Sequence, residues 1–352
     1  MNRLDRYIFF QLLSPFGVFT LIFAGILWIT QTLRFIEIVV SNRQNAMVFL
    51  EFSVLTLPNV LAAVLVLSGT AAAIYLINRM IVESELSVLL ASGVSYWRLA
   101  KPFLIYGAFV ATLSFVVFAY FQPVSMTRLG DRVHSVQRNA FSVFIKERQF
   151  VHPARGLAIF VETASDAGAI EGLFLRDGRD PERPITYSAR KALLVDTGEG
   201  LRLIMADGTM AAKTSDQSID VIRFEELAYD IGEIVPGGNV RSRPPSEYFL
   251  GQLLNPDTIA PEDRKRPTAA YLAEGFQKLT IIAMALCLPF AAFAIMTFRL
   301  APRRSAFPKG AAAFLLTFVG MVATEQFKSI LVAGVPRIGL FVLIPIFIIA
   351  LS

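Results

Sequence analysis

The apolar positions of this chain fall into two groups, separated by a long stretch of ordinary polarity. Three apolar runs fill the first third, over 12–33, 52–77 and 102–121, and three more fill the last quarter, over 272–298, 309–327 and 331–352. Roughly 20 apolar residues in a helix cross a hydrocarbon core, so each run predicts a membrane-spanning helix. The first run continues through Trp28 and Ile29 and lacks a convincing small-residue cleavage site, so it reads as an uncleaved helix rather than a signal peptide. The last contains Arg337 and reaches Ser352, which leaves it either short or continued further.

The middle of the chain has a different period. Leu157, Ile159, Val161 and Thr163 alternate with Ala158, Phe160 and Glu162, the period of two that gives a strand one buried face. Similar runs occur at Val143–Val151, Ile170–Arg176, Ile185–Val195, Leu201–Ala206 and Ile219–Tyr229. Turn signals at Asp177-Gly178, Thr197-Gly198-Glu199-Gly200 and Asp207-Gly208 separate them. Short strands with Gly-rich turns predict a sandwich or jelly roll. Its apolar interior is either simply packed or open as a groove for acyl chains. Pro244, Pro245, Pro256, Pro261 and Pro267 then predict a linker, with a short helix over 246–254 along the membrane surface. The expected fold is an α-helical membrane protein with six transmembrane helices (3+3) and an inserted all-β jelly-roll domain. The helices occupy 1–122 and 272–352, the β domain 123–240 and the linker 241–271.

Charge places these parts. Only 17% of residues are charged, against about 25% in an ordinary soluble chain. The net charge of +5 sits near helix ends, which marks topology rather than nucleic-acid binding. With the N-terminus inside, the inner segments carry Arg3, Arg6, Arg79, Arg98, Lys101, Arg299, Arg303, Arg304 and Lys309. The short outer loops carry Arg34, Arg43, Lys328 and Arg337. The positive-inside rule then predicts a cytoplasmic N-terminus and an external β domain.

Chemistry of its own is hard to find. Cys287 is the single cysteine, so no disulfide framework forms within the chain. His134 and His152 have no metal-ligand partner at helical or hairpin spacing. There is no G-x-x-x-x-G-K-[ST] loop and no G-x-S-x-G elbow. The spans hold few charges, which gives a proton relay little support. The expectation is a non-enzymatic membrane protein without a cofactor, driven by a partner.

Three segments are candidates for function. In the inner loop after the second run, Glu83 and Glu85 fall in a first helical turn, where the helix dipole favours anions. Val82, Leu86 and Leu89 recur at helical spacing, and Gly93 suits the left-handed residue after a last turn. This predicts a short amphipathic helix over about 82–93, either resting on lipid or inserted in a groove of a cytoplasmic partner. Its acids oppose a negative inner leaflet. At the outer ends of the first and fifth runs stand Arg34 with Phe35 and Phe327 with Lys328. Snorkelling, a Glu325–Lys328 pair at i,i+3, or a cationic contact to a phosphorylated lipid all fit these residues.

Several stretches carry a family resemblance: Leu4-Asp5-Arg6-Tyr7-Ile8, Glu83-Ser84-Glu85-Leu86 followed by Ala91-Ser92-Gly93-Val94-Ser95, and Lys328-Ser329. With the three-plus-three runs and the β insert, the whole chain resembles an LptF/LptG-type permease, the membrane half of the lipopolysaccharide export transporter of Gram-negative bacteria. Gln31–Phe35 and Tyr248–Leu254 look more like the F type. The resemblance implies an inner-membrane heterodimer with an LptG-like second permease, an LptB-like ATPase dimer that binds ATP and Mg, and an LptC-like jelly-roll protein. It implies that Glu83, Glu85, Leu86, Leu89 and Gly93 form a coupling helix, with Glu85 entering a groove of the ATPase. It also implies that lipopolysaccharide enters sideways from the outer leaflet between spans one and five of opposite subunits, near Arg34, Phe35, Phe327 and Lys328. Thr32 stands where some members have a lysine. ATP-driven closure would push the lipid toward periplasmic jelly rolls along a continuous apolar path, because each exposed CH₂ costs roughly 0.8 kcal/mol. A non-transporting membrane scaffold whose external β domain recruits partners is the competing expectation. A lipoprotein-release permease fits less well, since four spans with a large domain after the first are usual there.

Overall fold

The structure is a computed structural model and describes residues 3–41, 45–144, 148–152, 155–164, 169–180, 184–196, 201–213, 219–231, 241–297 and 307–332. Its helices are α1 (Arg3–Ser41), α2 (Ala46–Val82), α3 (Glu85–Ala91), α4 (Tyr96–Val116), α5 (Gln122–Phe144), α6 (Leu250–Leu254), α7 (Thr268–Thr297) and α8 (Phe307–Val332). Two compact units result, a helical one and a second built mainly from residues 130–242.

Four helical stretches among the described residues are long and apolar enough to cross a membrane: Arg3–Ile36, Ala46–Val82, Tyr96–Val136 and Thr268–Thr297. Helix α8 covers the fifth expected span, whereas 333–352, nearly all of the sixth, lies outside the described residues. In the helical unit α7 packs against α4, α8 and α2, and small residues allow close approach. A Cβ on Gly107 of α4 would stand 2.2 Å from the Leu286 carbonyl oxygen of α7. Tyr106 is fully buried and donates its hydroxyl to the Gly69 carbonyl of α2 at 3.3 Å. Thr56, Thr70, Thr297 and Thr317 turn their hydroxyls back onto carbonyls four residues earlier, which satisfies a polar group without water. Helix α1 buries Ile8, Leu12 and Phe16 and exposes Val18, Leu21, Ile22, Ile26, Ile29 and Leu33, a surface suited to lipid.

The third span does not end at residue 121 as expected. Helix α4 passes through a π turn at Val117–Phe121, where the Gln122 N–H bonds the Val117 carbonyl, and continues as α5 to Phe144. Pro123 has no N–H to extend the ladder, and a π turn absorbs that register change. Leu129, Val133 and Val136 keep helical spacing among charged neighbours. The first part of the expected β domain is therefore helical, and the strand expected from Val143 begins instead at Phe150.

The strands β1 (Phe150–Val151), β2 (Leu157–Ala164), β3 (Ala169–Asp177), β4 (Ile185–Asp196), β5 (Leu201–Lys213) and β6 (Ile219–Asp230) form one antiparallel sheet in sequential order. Among the described residues the strands form this one sheet, with no second sheet. A transverse crease crosses it. Pairing drops out along one row, at Glu162, Gly172, Arg190, Asp207 and Glu225, while the pairs on either side stay in register. Gly172 and Asp207 on this row have left-handed φ values of 64° and 53°. The buried face changes parity there. Ile170 is buried before the crease and Leu173 and Leu175 after it; Tyr187 and Ala189 precede it on β4 and Ala192 follows. A break in alternation on β3, β4 and β5 thus keeps the same side inward across a bend, with a left-handed residue on β3 and β5. Asp207-Gly208, expected as a turn, is therefore the crease of β5.

The proline-rich stretch is ordered by packing. It contains 3-10 turns at Pro245–Glu247 and Pro256–Thr258 around α6. Tyr248, Leu253 and Ile259 are buried with Tyr271 at the start of α7.

Candidate functional site

Two groups of side chains in the helical unit bear on function. The first is α3. Helix α2 runs to Val82, and Ser84, with φ of 59°, reverses the chain into α3. Glu83 therefore caps the C-terminus of α2 and is not part of α3's first turn. Its carboxylate accepts from Arg79 Nε at 3.0 and 3.2 Å. Glu85 is the acid in the first turn of α3 and is half-buried. Leu86 is 2% exposed within the core of the helical unit, and Leu89 packs against the same core. Of the expected apolar stripe, Leu86 and Leu89 thus face this chain's own bundle, while its third member, Val82, is exposed, as is Val88. At the far end Gly93 (φ 84°) donates to the Leu90 carbonyl at 3.0 Å and Val94 to the Leu89 carbonyl at 3.2 Å. This pair of bonds is the Schellman motif that closes a helix.

The second group lies where α7 begins and α8 nears its end. Glu274, Gln277 and Lys278 share one face of α7 and are all buried. Glu274 forms an ion pair with Lys328 of α8. One turn away, Gln277 Nε2 donates to Glu325 Oε1 at 2.5 Å. The Lys278 ammonium reaches the Ser246 carbonyl at 3.4 Å. Lys328 therefore bonds across helices rather than to Glu325 in its own. Glu274 and Lys278 are among the few charges of the spans, since 274 and 278 lie inside the fourth apolar run, and ionisable residues so placed pair with one another or with backbone carbonyls.

The other expected lipid contacts are placed differently from one another. Arg34 is exposed on α1, whereas Phe35 is half-buried with its ring 5.5 Å from that of Phe52 on α2. Phe327 lies on α8, with its side chain outside the described ones. Among the described residues no cluster of three or more His, Cys, Asp or Glu could hold a metal ion.

A family model described as "Lipopolysaccharide export system permease LptF/LptG" matches residues 6–352. The chain is also 22% identical over 254 residues to the uncharacterized protein RP871 of Rickettsia prowazekii (strain Madrid E), covering 71% of this chain and 70% of that protein.

Proposed function

The chain belongs to the LptF/LptG family of lipopolysaccharide export permeases, a premise from which we propose how its parts act in the Lpt ABC transporter. It is a transporter subunit of the inner membrane. An LptB-like ATPase dimer binds ATP and Mg and drives it, an LptG-like permease forms the other half of the lipid cavity, and an LptC-like protein receives the lipid beside the β unit. The N-terminus is cytoplasmic and the β unit periplasmic. The chain takes the F-type place in the heterodimer.

The observation that carries this reading is the anchoring of α3. Burying a leucine is worth about 1.5–3 kcal/mol, so Leu86 fixes the helix to the ends of the spans. Glu85 stands at its start and is offered to the ATPase groove. A push on Glu85 then moves spans instead of bending a loop. At the other end of the spans, Lys328 exchanges its internal counter-ion, Glu274, for a phosphate of the entering lipid, with Arg34 as a further cationic contact.

The test is Glu85→Ala in vesicles holding the two permeases and the ATPase. Weaker ATPase association, or ATP hydrolysis without lipid release, is the expected outcome. Unchanged association together with unchanged release would remove α3 from the coupling path.

A further inference from the structure

Helix α1 carries a second cationic group at the end opposite Arg34. Arg3, Arg6, Tyr7, Phe10, Gln11, Ser14 and Pro15 recur at helical spacing along one face, and with Tyr75 and Arg79 of α2 they line a cavity of about 640 Å³. Arg6 and Arg34 are 28 positions apart, or about 42 Å along a helix, so this cavity is separate from the lipid contacts above.

Its lining is graded along the helix. The guanidinium groups come from Arg3 and Arg6 at the helix start and from Arg79 near the end of α2. Next come Tyr7 and Tyr75, each about half exposed at 52% and 50%, and then Phe10 and Pro15. Arg79 engages Glu83 through Nε, which leaves its two terminal nitrogens available. Arg6 lies over the Phe10 ring at 5.6 Å. Between these groups Gln11 Oε1 is a buried acceptor without a donor among the described residues. Pro15, four residues further on, also deprives the Gln11 carbonyl of its helical N–H.

We propose that this cavity binds an anionic glycerophospholipid of the leaflet at the α1 N-terminal end. Arg3, Arg6 and Arg79 hold the phosphate, a headgroup hydroxyl donates to Gln11, and the acyl chains run over Phe10 and Pro15. This follows from α1 and α2 spanning a bilayer and is independent of lipopolysaccharide handling. Charge complementarity selects the occupant: Arg3, Arg6 and Arg79, offset by the one Glu83 carboxylate paired with Arg79, leave the site net positive, which attracts a phosphodiester of net negative charge over a zwitterionic headgroup. The exposed tyrosines suit the headgroup level, and basic pockets between spans are established sites for anionic headgroups.

The experiment titrates phosphatidylglycerol into the detergent-solubilised full chain with its co-purifying partners and follows bound lipid by native mass spectrometry. Arg6→Gln is expected to weaken binding about fivefold, as for one cation near a membrane surface. Arg3→Gln should act likewise, and Arg6→Lys should restore most of the loss. Arg98→Gln, an equal charge change outside the cavity, should leave binding as in the wild type. Equal weakening by Arg98→Gln, or wild-type binding by both Arg3→Gln and Arg6→Gln, would overturn the proposal. So would phosphatidylethanolamine binding as tightly, or glycerol 1-phosphate displacing the lipid at equal concentration, since the site would then not recognise an anionic lipid. Loss of the ATPase from Arg6→Gln with lipid binding intact would make this a protein interface instead.

Discussion

The Tyr229 hydroxyl of β6 donates to Asp177 Oδ2 of β3 at 2.7 Å, although β4 and β5 lie between those strands in the sheet. Three steps between flat neighbours would span about 14 Å, so a direct hydrogen bond requires the sheet to curl toward this face. The Tyr187 ring of β4 fills the arc, 5.1 Å from that of Tyr229. Arg179 completes the clamp with a two-pronged bond to Asp177 at 3.0 and 2.7 Å.

This clamp is pH-sensitive in one direction. The Arg179 bonds, joined by the Tyr229 hydroxyl and opposed by burial, hold the Asp177 carboxyl at about 2, below its ordinary 3.8. A depressed carboxyl contributes stability that is complete above its unfolded value and disappears as pH falls through its folded value. Asp177→Asn should therefore lower the melting temperature of the β unit, followed by circular dichroism of the full chain, at neutral pH. The difference from wild type should shrink between about pH 4 and pH 2. A difference that persists undiminished at the acid end would show that the carboxylate charge is not what the clamp uses.

The crease makes a second prediction. Gly172 has φ of 64°, and an added Cβ would stand 2.5–2.6 Å from Glu162 side-chain atoms. Left-handed backbone costs a residue with a Cβ roughly 1–2 kcal/mol, and the contact adds to it. Gly172→Ala is expected to destabilise the β unit by about 2–3 kcal/mol in denaturant titrations. Gly178→Ala, whose new Cβ would meet only the Gly156 carbonyl at 3.3 Å, should cost well under half of that. Equal costs would mean that the crease is not enforced at Gly172.

Glu274 supports a third. Its side chain is 9% exposed and that of Lys328 is 32% exposed, between the surface and interior limits for an ion pair. Glu274→Ala removes the carboxylate and leaves Lys278 and Lys328 close together. A stability loss of roughly 2 kcal/mol is expected from thermal melts in detergent. The same change should increase crosslinking of lipopolysaccharide to a photoreactive group at position 327, with Lys328 intact, because the carboxylate that competes for Lys328 is gone. Reduced crosslinking in a variant that still folds would show that Glu274 helps to place the lipid rather than competing with it.

The parts legible in the sequence are those fixed by local pattern. Five apolar runs coincide with helices among the described residues because any bilayer-spanning segment must satisfy its own backbone bonds. Leu157, Ile159 and Val161 were legible as one buried face of a strand because alternation is a property of the strand itself. Gly93 was legible as a helix terminator because its left-handed φ is a local requirement. Other positions depended on neighbours distant in sequence. Alternation could not disclose that Gly172 and Asp207 stand on one row, since that row exists only once five strands are in register. Leu86 and Leu89 show an apolar stripe, yet only the packed bundle decides that the stripe faces inward. Lys328 had an acid three residues before it, but the winning partner lies 54 positions away, on a helix that packing brings within reach. Sequence determined which segments are apolar enough to cross a membrane, most of those that form strands, and which residues carry charge. Tertiary structure decided which charges meet and where the sheet bends, because ion pairing and strand register depend on distances that no local period contains.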